Sequence, residues 1–233
     1  LQSLPEGMAV CDMTQAFGKL PVAFNWTGAQ MGLISAHKIG GPKGVGALVI
    51  KRGTELAAQI KGGGQEMGRR SGTENLVGIA GFGAAAEAAI RDVEQGVWEQ
   101  VEKLRNILEN SIEQISGSTI FIGKSRPRLP NTSCMVTEGW KGETQVMQMD
   151  LAGLAVSAGS ACSSGKVKES RVLRAMGFGA GSMGSALRVS LGPDTRQKDI
   201  DWLVESWSNQ YKKWADRAMV AKDEQETLNG NFG

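Results

Sequence analysis

The chain has 233 residues and a net charge of +2, from 26 basic and 24 acidic side chains spread along the sequence. This length is enough to bury a sizeable core, and the 41% hydrophobic content is ordinary for a globular protein. No basic stripe indicates a nucleic acid or an anionic membrane as a partner, and no apolar run of about 18 residues predicts a membrane span. We therefore expect neither partner.

The cysteines Cys11, Cys134 and Cys162 are an odd number and lie far apart in the chain. A disulfide framework is therefore not expected, and a reducing cytoplasm fits better. The first residues also lack the basic-then-apolar pattern of a signal peptide. Metal binding is not expected either, because His37 is the only histidine and no Cys-x-x-Cys pair occurs.

Three short apolar runs in the first part of the chain, at residues 8–11, 32–35 and 47–50, predict buried strands. The second and third are separated by a glycine-rich turn at residues 40–44. Ligands of α/β sheets gather where strands end, so we expect chemistry at Asp12 and just after Ser35. Glycine, at 32 residues, is about double its usual share and suggests close backbone approach to a ligand.

From residue 74 the pattern becomes helical, first in an alanine-rich run to residue 91 and then in an amphipathic run over 97–115. A last helix, with Thr195 as its N-cap, carries an aromatic stripe that we expect to be core. Short strands are predicted between these helices at residues 120–122, 134–136, 154–157 and 186–190. The alternation indicates an α/β protein, with domains at 1–92 and 93–220 and a polar tail at 221–233.

The first chemical motif is Ser35-Ala36-His37-Lys38, just beyond a predicted strand and followed by glycines. A lysine amine that is partly desolvated beside another cation has a lowered pKa and becomes a nucleophile toward carbonyl groups. Hydroxyl and imidazole groups at Ser35 and His37 suit a phosphate. From these residues alone, a simple surface cation at Lys38 remains the more common interpretation.

The segment at 35–48, Ser-Ala-His-Lys-Ile-Gly-Gly-Pro-Lys-Gly-Val-Gly-Ala-Leu, is similar to the cofactor-lysine segment of cysteine desulfurases, within the class V aminotransferase group. Four further blocks, at 12–19, 62–75, 157–165 and 187–192, resemble the same family in the same order. The resemblance implies the C-terminal part of a pyridoxal-phosphate-dependent transferase fold. That part comprises the end of the large-domain sheet and a small α+β domain.

The resemblance also implies a role for each matching residue. The expected ligands of pyridoxal 5'-phosphate are Asp12 at the ring nitrogen, Gln15 at the ring hydroxyl, Ser35 and His37 at the phosphate, Thr73 at the phosphate from the partner subunit of a homodimer, and Lys38 through a covalent bond. Arg188 would bind the substrate carboxylate, because its planar fork offers two parallel hydrogen bonds.

Cys162 is the expected nucleophile, because its glycine and serine neighbours form a polar loop in which a thiolate is accessible. Cys11 and Cys134 lie in apolar runs and are interpreted as structural. The implied reaction converts L-cysteine to L-alanine and leaves the sulfur as a persulfide on Cys162. A sulfur-acceptor or scaffold protein would receive it for iron–sulfur cluster or thio-cofactor synthesis.

Cysteine desulfurases have a preceding half with another phosphate loop and a histidine that stacks on the cofactor, for which this sequence offers no candidate. We therefore expect these 233 residues alone to be inactive, and two alternatives stay open. One is a selenocysteine lyase. The other is an inactive truncated paralogue that serves as an interaction module.

Overall fold

The computed structural model describes residues 7–159 and 170–230. The chain divides into two compact units, Leu1–Trp98 and Glu99–Gly233. The division predicted near residue 92, with a polar tail from 221, stays a prediction. In the part of the chain that the structure describes, no helix is long and apolar enough to cross a membrane.

The first unit contains a three-stranded sheet in the order β1-β2-β3, formed by β1 (Val10–Asp12), β2 (Met31–Ser35) and β3 (Gly46–Ile50). Strand β2 pairs parallel to β1 and antiparallel to β3. All three predicted strands are present, with bounds shifted by one or two residues. The prediction that they are buried is wrong for β1 and β3, which lie on the two sides of β2 and consist of exposed and partly buried residues. The 3-10 turn Ala36–Lys38 follows β2 directly.

Two helices of 19 residues each follow the sheet, α1 (Leu76–Glu94) and α2 (Val97–Ile115). Helix α1 is capped by Asn75, whose side chain accepts the N–H of Gly78 at 3.1 Å. Both helices were predicted from their composition and periodicity. Helix α2 buries Val101, Leu108 and Ile112, as its apolar spacing indicates.

The second unit contains a four-stranded antiparallel sheet in the order β4-β5-β7-β6. Its strands are β4 (Thr119–Phe121), β5 (Thr132–Thr137), β6 (Ser157–Ala158) and β7 (Ala186–Ser190). The strand predicted at 154–157 is wrong except for its last residue. Leu154 and Val156 pack against the core, and the N–H of Leu154 bonds the carbonyl of Met149, so this segment does not join the sheet.

Among its described residues, this unit has four more helices, α3 (Gly142–Leu151), α4 (Arg171–Ala175), α5 (Ala180–Gly184) and α6 (Gln197–Gly230). Helix α6 begins two residues after Thr195, so the predicted N-cap is wrong. The hydroxyl of Thr195 instead accepts the N–H of Gly192 at 2.9 Å, while Asp199 accepts the N–H of Arg196. Helix α6 also continues to Gly230, past the start of the predicted polar tail.

The core of the second unit lies between one face of the sheet and helices α2, α3 and α6. Trp140 stacks on Trp214 with ring centroids 5.6 Å apart, and Trp207 stacks on Tyr211 at 5.0 Å. The prediction that the aromatic stripe of the last helix is core is confirmed. Gln145 joins the cluster, because it donates to the carbonyl of Trp140 and accepts from the indole N–H of Trp207.

A buried carboxylate on α2 anchors the segment that leads into β5. Glu109 is fully buried and receives two hydrogen bonds of 2.6 Å from Arg128 and one of 2.7 Å from Ser133. Burial alone raises the pKa of Glu109. The hydrogen bonds from Arg128 and Ser133, and the charges of Arg128 and Arg105, outweigh that effect and hold the pKa below its usual value. The carboxylate is therefore charged in the folded protein at neutral pH.

We expect Glu109→Gln to lower the free energy of unfolding at pH 7 by about 3–5 kcal/mol, because it leaves Arg128 without its buried counter-charge. Since the folded-state pKa is depressed, this stabilisation is present above the usual glutamate pKa and is lost as the pH falls through the folded value. Urea unfolding of both proteins at decreasing pH should show the difference shrinking.

Glu113→Gln is the matched control, because Glu113 pairs with Lys124 at 2.7 Å where both side chains are largely exposed. Its expected cost is about 1 kcal/mol or less. Equal losses in the two variants, or a Glu109→Gln difference that does not change with pH, would contradict the role given to Glu109.

Candidate functional site

Asp12 and Ser35 lie at the ends of neighbouring parallel strands. Asp12 is paired with Leu33, so Ser35 extends two residues further toward the same edge of the sheet. Asp12 is exposed and accepts the backbone N–H of Thr14 at 2.9 Å. Hydrogen bonds from the Thr14 side chain, and then from its backbone, hold the pKa of Asp12 below its usual value. This edge therefore carries a carboxylate that stays ionised.

The turn that presents Lys38 is fixed by the backbone of the residue two positions before it. Ala36 is fully buried, and its N–H donates to the carbonyl of Val45 at 3.1 Å. Its carbonyl accepts the N–H groups of Ile39 at 3.0 Å and Gly41 at 2.9 Å. His37 and Lys38, the two residues that follow this anchor, are both exposed.

Ser35 and His37 are brought into direct contact. The hydroxyl oxygen of Ser35 lies 2.8 Å from Nδ1 of His37. Strand β3 approaches β2 closely beside this pair, because a Cβ at Gly46, opposite Ser35, would lie 2.6 Å from the carbonyl oxygen of Ile34. A hydroxyl and an imidazole side by side at a strand end are suitable donors for a phosphate.

Lys19, the last residue of the block at 12–19, is a cation whose burial the sequence did not reveal. Its ammonium donates to the carbonyl of Gln15 at 3.0 Å and lies 5.8 Å from the ring centroid of Trp98. Burial, and then the nearby charge of Lys38, lower the pKa of Lys19. Lys38 is therefore electrostatically coupled to the turn that carries Gln15. A glycine–lysine pair in a turn gives no sign of burial, which depends on tertiary packing.

Thr73 lies on the loop before α1 and is exposed. The residue before it, Gly72, donates its N–H to Oε1 of Gln65 at 3.2 Å. Met67, Leu76 and Val77 are also exposed, by 85%, 72% and 84%. Apolar side chains so close in sequence to a polar candidate residue are typical of surfaces that another chain covers.

Arg188 lies in the middle of β7, opposite Cys134 of β5 and Ser157 of β6. Its Nε is buried and has no hydrogen-bond partner among the residues that the structure describes. A buried donor of this kind is costly to leave unpaired, and a guanidinium group pairs best with a carboxylate. Burial raises the pKa of Cys134, while the charge of Arg188 opposes that shift.

The predicted nucleophile, Cys162, lies outside the described residues, which resume at Ser170. Strand β6, four residues before it, is the edge strand beside Arg188. The other two cysteines are both partly buried in strands, Cys11 in β1 and Cys134 in β5. Across residues 7–159 and 170–230, no group of three or more His, Cys, Asp and Glu side chains is arranged to hold a metal ion.

The chain belongs to the class V aminotransferase family, whose model, "Aminotransferase class-V", matches residues 6–203. Members of this family depend on pyridoxal phosphate. A cysteine desulfurase of Enterobacter agglomerans is 40% identical over 195 residues, which cover 84% of this chain and 48% of the relative. The cysteine desulfurase NifS of Azotobacter vinelandii is 38% identical, with 83% and 48% covered.

Solved structures agree with this assignment. A NifS-like protein from Rickettsia africae superposes with a TM-score of 0.78 at 30% identity, over 87% of this chain and 53% of that protein. The predicted α/β fold of a pyridoxal-phosphate-dependent transferase is therefore confirmed. The chain spans about half the length of the curated relatives it matches.

The contact between Arg188 and Cys134 can be tested by alkylation. We expect Arg188→Met to slow the reaction of Cys134 with iodoacetamide at pH 8 by a factor of about 3–10, because loss of the cation raises the pKa of the thiol further. Peptide mass spectrometry over a pH series gives the rate for each cysteine. Cys11 serves as the internal control.

Arg171→Met, at the exposed start of α4, is the matched control and should leave the Cys134 rate unchanged. An Arg188→Met protein in which Cys134 reacts at the wild-type rate, or faster with a lower pH midpoint, would show that Arg188 does not act on this thiol.

Proposed function

We propose that this chain supplies the cofactor-binding and sulfur-handling residues of a pyridoxal-phosphate-dependent cysteine desulfurase. The observation that carries the proposal is the anchored turn with Lys38, beside a strand end with the ionised Asp12. It occurs in a chain about 40% identical to cysteine desulfurases. The substrate would be L-cysteine and the first product L-alanine.

The groups at the sheet edge fit the cofactor chemically. Pyridoxal phosphate, when bound, supplies an electron-withdrawing ring that stabilises negative charge on the substrate. Asp12, ionised in the folded protein, would keep a proton on the ring nitrogen. Gln15 would hydrogen-bond the ring hydroxyl, while Ser35 and His37 would donate to the phosphate.

Lys38 has the chemistry for the covalent link. Its amine is exposed on a turn whose backbone is held by Ala36, and the amine of Lys19 lies near enough to repel it. Nζ of Lys38 would bond the aldehyde carbon of the cofactor. When it is not bonded to the cofactor, Nζ of Lys38 would hold and move protons.

Arg188 would bind the substrate carboxylate. The support is its buried Nε, for which the described residues offer no acceptor. A carboxylate would meet that need and gain a charge-assisted hydrogen bond. The alternating faces of β7 matter here, because Leu187 and Val189 pack into the core and Arg188 points to the opposite side.

Cys162 would take the sulfur. Its thiolate would attack the sulfur of L-cysteine, forming an S–S bond while the C–S bond breaks. The electron pair of the broken bond remains on the carbon, which takes a proton and becomes the methyl group of alanine. Cys134 is a poor substitute, because burial raises its pKa. The persulfide would then pass to an acceptor or scaffold protein for iron–sulfur cluster or thio-cofactor synthesis.

Thr73 would contact the phosphate of the partner subunit's cofactor in a homodimer. The exposed apolar side chains Met67, Leu76 and Val77 support a covering chain at this loop. A cytoplasmic location follows from the same proposal, because iron–sulfur and thio-cofactor pathways operate on reduced thiols.

The covalent site can be identified directly. In the assembled, cofactor-loaded enzyme, borohydride reduction should attach the pyridoxyl group to the peptide that contains Lys38. Lys38→Ala should abolish that adduct. Lys43 and Lys51, close by in the chain, are the internal controls, and an adduct on either would overturn the assignment.

The role of Cys162 can be separated from cofactor chemistry. We expect Cys162→Ala to retain the change in cofactor absorbance on adding L-cysteine, because Lys38 and Arg188 are intact. Protein-bound persulfide and alanine formation should fall by at least about 100-fold, since the attacking thiolate is gone. Persulfide labelling with peptide mapping gives the first quantity, and alanine release gives the second.

Cys11→Ala and Cys134→Ala are the matched controls, and both should keep most of the activity. Persulfide formation at the normal rate in Cys162→Ala would place the nucleophile elsewhere. If that variant cleaves selenocysteine but not cysteine, the lyase alternative is favoured, because selenide leaves without a thiolate acceptor.

A further inference from the structure

The loop that carries Thr73 is closed by a hydrogen bond between Gly72 and the side chain of Gln65, seven residues upstream of Gly72. Oε1 of Gln65 accepts the N–H of Gly72 at 3.2 Å. Ser71, the next residue back, is buried and donates its N–H to the carbonyl of Ile60 at 3.0 Å. The peptide units Arg70–Ser71 and Ser71–Gly72, just upstream of Thr73, are therefore each held by a hydrogen bond.

The adjacent glycines Gly63 and Gly64 differ in the free space where a side chain would lie. A Cβ at Gly63 would lie 2.5 Å from Oε1 of Gln65, so the carboxamide rests where a side chain would otherwise be. A Cβ at Gly64 would meet nothing within 4 Å. The absence of a side chain at Gly63, but not at Gly64, is thus what allows Gln65 to reach Gly72.

The same loop holds unfavourable backbone conformations. Glu66 and Met67 have φ values of 51° and 56°, in the left-handed region that non-glycine residues rarely adopt. Gly72 has a φ of 107°. Backbone strain at an exposed loop persists only where surrounding contacts enforce it, and it is often associated with ligand sites. The hydrogen bond from Gly72 to Gln65 is such a contact.

We propose that Gln65 is a positioning residue for phosphate recognition, and this inference rests on the proposed role of Thr73. Gln65 does not touch the phosphate. Its hydrogen bond fixes the orientation of the Ser71–Gly72 peptide, one residue before Thr73, and so helps to present the hydroxyl and N–H of Thr73 in one arrangement. Without this hydrogen bond, the turn samples other conformations. The free energy of phosphate binding is then reduced by the cost of ordering the turn.

The test uses two variants that break the hydrogen bond between Gln65 and Gly72 in different ways. Gln65→Met keeps the side-chain length but has no acceptor for the N–H of Gly72. Gly63→Ala keeps Gln65 but displaces its carboxamide, which is the flexible end of a side chain. The matched controls are Gly64→Ala, where the added methyl group meets open space, and Gln59→Met, where the lost hydrogen bond is to Ala57.

Two measurements distinguish the loss of this hydrogen bond from its effect on phosphate binding. Amide hydrogen exchange at Gly72, measured on the 233-residue chain, should quicken roughly tenfold in Gln65→Met and Gly63→Ala and stay unchanged in the controls. In the assembled enzyme, the same two variants should raise the Kd for pyridoxal phosphate about 5- to 10-fold. The Kd for pyridoxal, which lacks the phosphate, should change less than about twofold.

A double-mutant cycle with Thr73→Val gives the decisive comparison. If Gln65 acts through Thr73, Gln65→Met should add little to the loss of cofactor affinity in Thr73→Val. Fully additive losses, or unchanged Gly72 exchange in Gln65→Met, would overturn the inference. Faster exchange with an unchanged Kd for pyridoxal phosphate would overturn it too, while leaving the proposed function standing. A wild-type enzyme that does not prefer pyridoxal phosphate to pyridoxal would remove the phosphate site itself.

Discussion

The geometry around Lys38 depends on the three backbone hydrogen bonds of Ala36. A buried backbone N–H or carbonyl must find a partner, and Ala36 satisfies both of its groups within the β2–β3 connection. Its small side chain is fully buried, so the turn cannot rotate without losing packing and hydrogen bonds together. The polar neighbours His37 and Lys38 are thereby held outside. The position of Lys38 is thus set by the least reactive residue of its motif.

In the second unit, strand β7 positions the candidate residue Arg188. Because side chains alternate along a strand, one face supplies Leu187 and Val189 to the core while Arg188 lies on the other. Pairing with β5 and β6 on both sides fixes the register, so Arg188 cannot move without breaking two ladders. The backbone of Arg188 is therefore fixed, and its buried Nε has no acceptor among the residues that the structure describes, so a carboxylate placed there would pair with it.

Much of the fold was predictable, and the failures have physical causes. Continuous apolar runs predicted the strands of the first sheet, and periodicity predicted α1, α2 and α6. Helices α3, α4 and α5 were missed because they are short and lack a clear apolar stripe. Glu109 and Arg105 were missed as buried residues because their burial depends on Arg128 and the carbonyl of Leu129, partners about 20 residues away that no local pattern reveals.

In the candidate site, too, local features were predictable from the sequence and features that depend on distant partners were not. The contact between Ser35 and His37 is local, so the motif pointed to both residues, whereas the burial of Lys19 and the reach of Gln65 to Gly72 arise only from tertiary packing. Several features of the two units are energetically unfavourable in the free protein. The first unit has a buried ammonium near another lysine and two left-handed residues in a row, and the second has a buried guanidinium nitrogen with no acceptor among the described residues. Local costs of this kind are expected where a unit is arranged for an anionic ligand, which offsets the charge terms only when it binds.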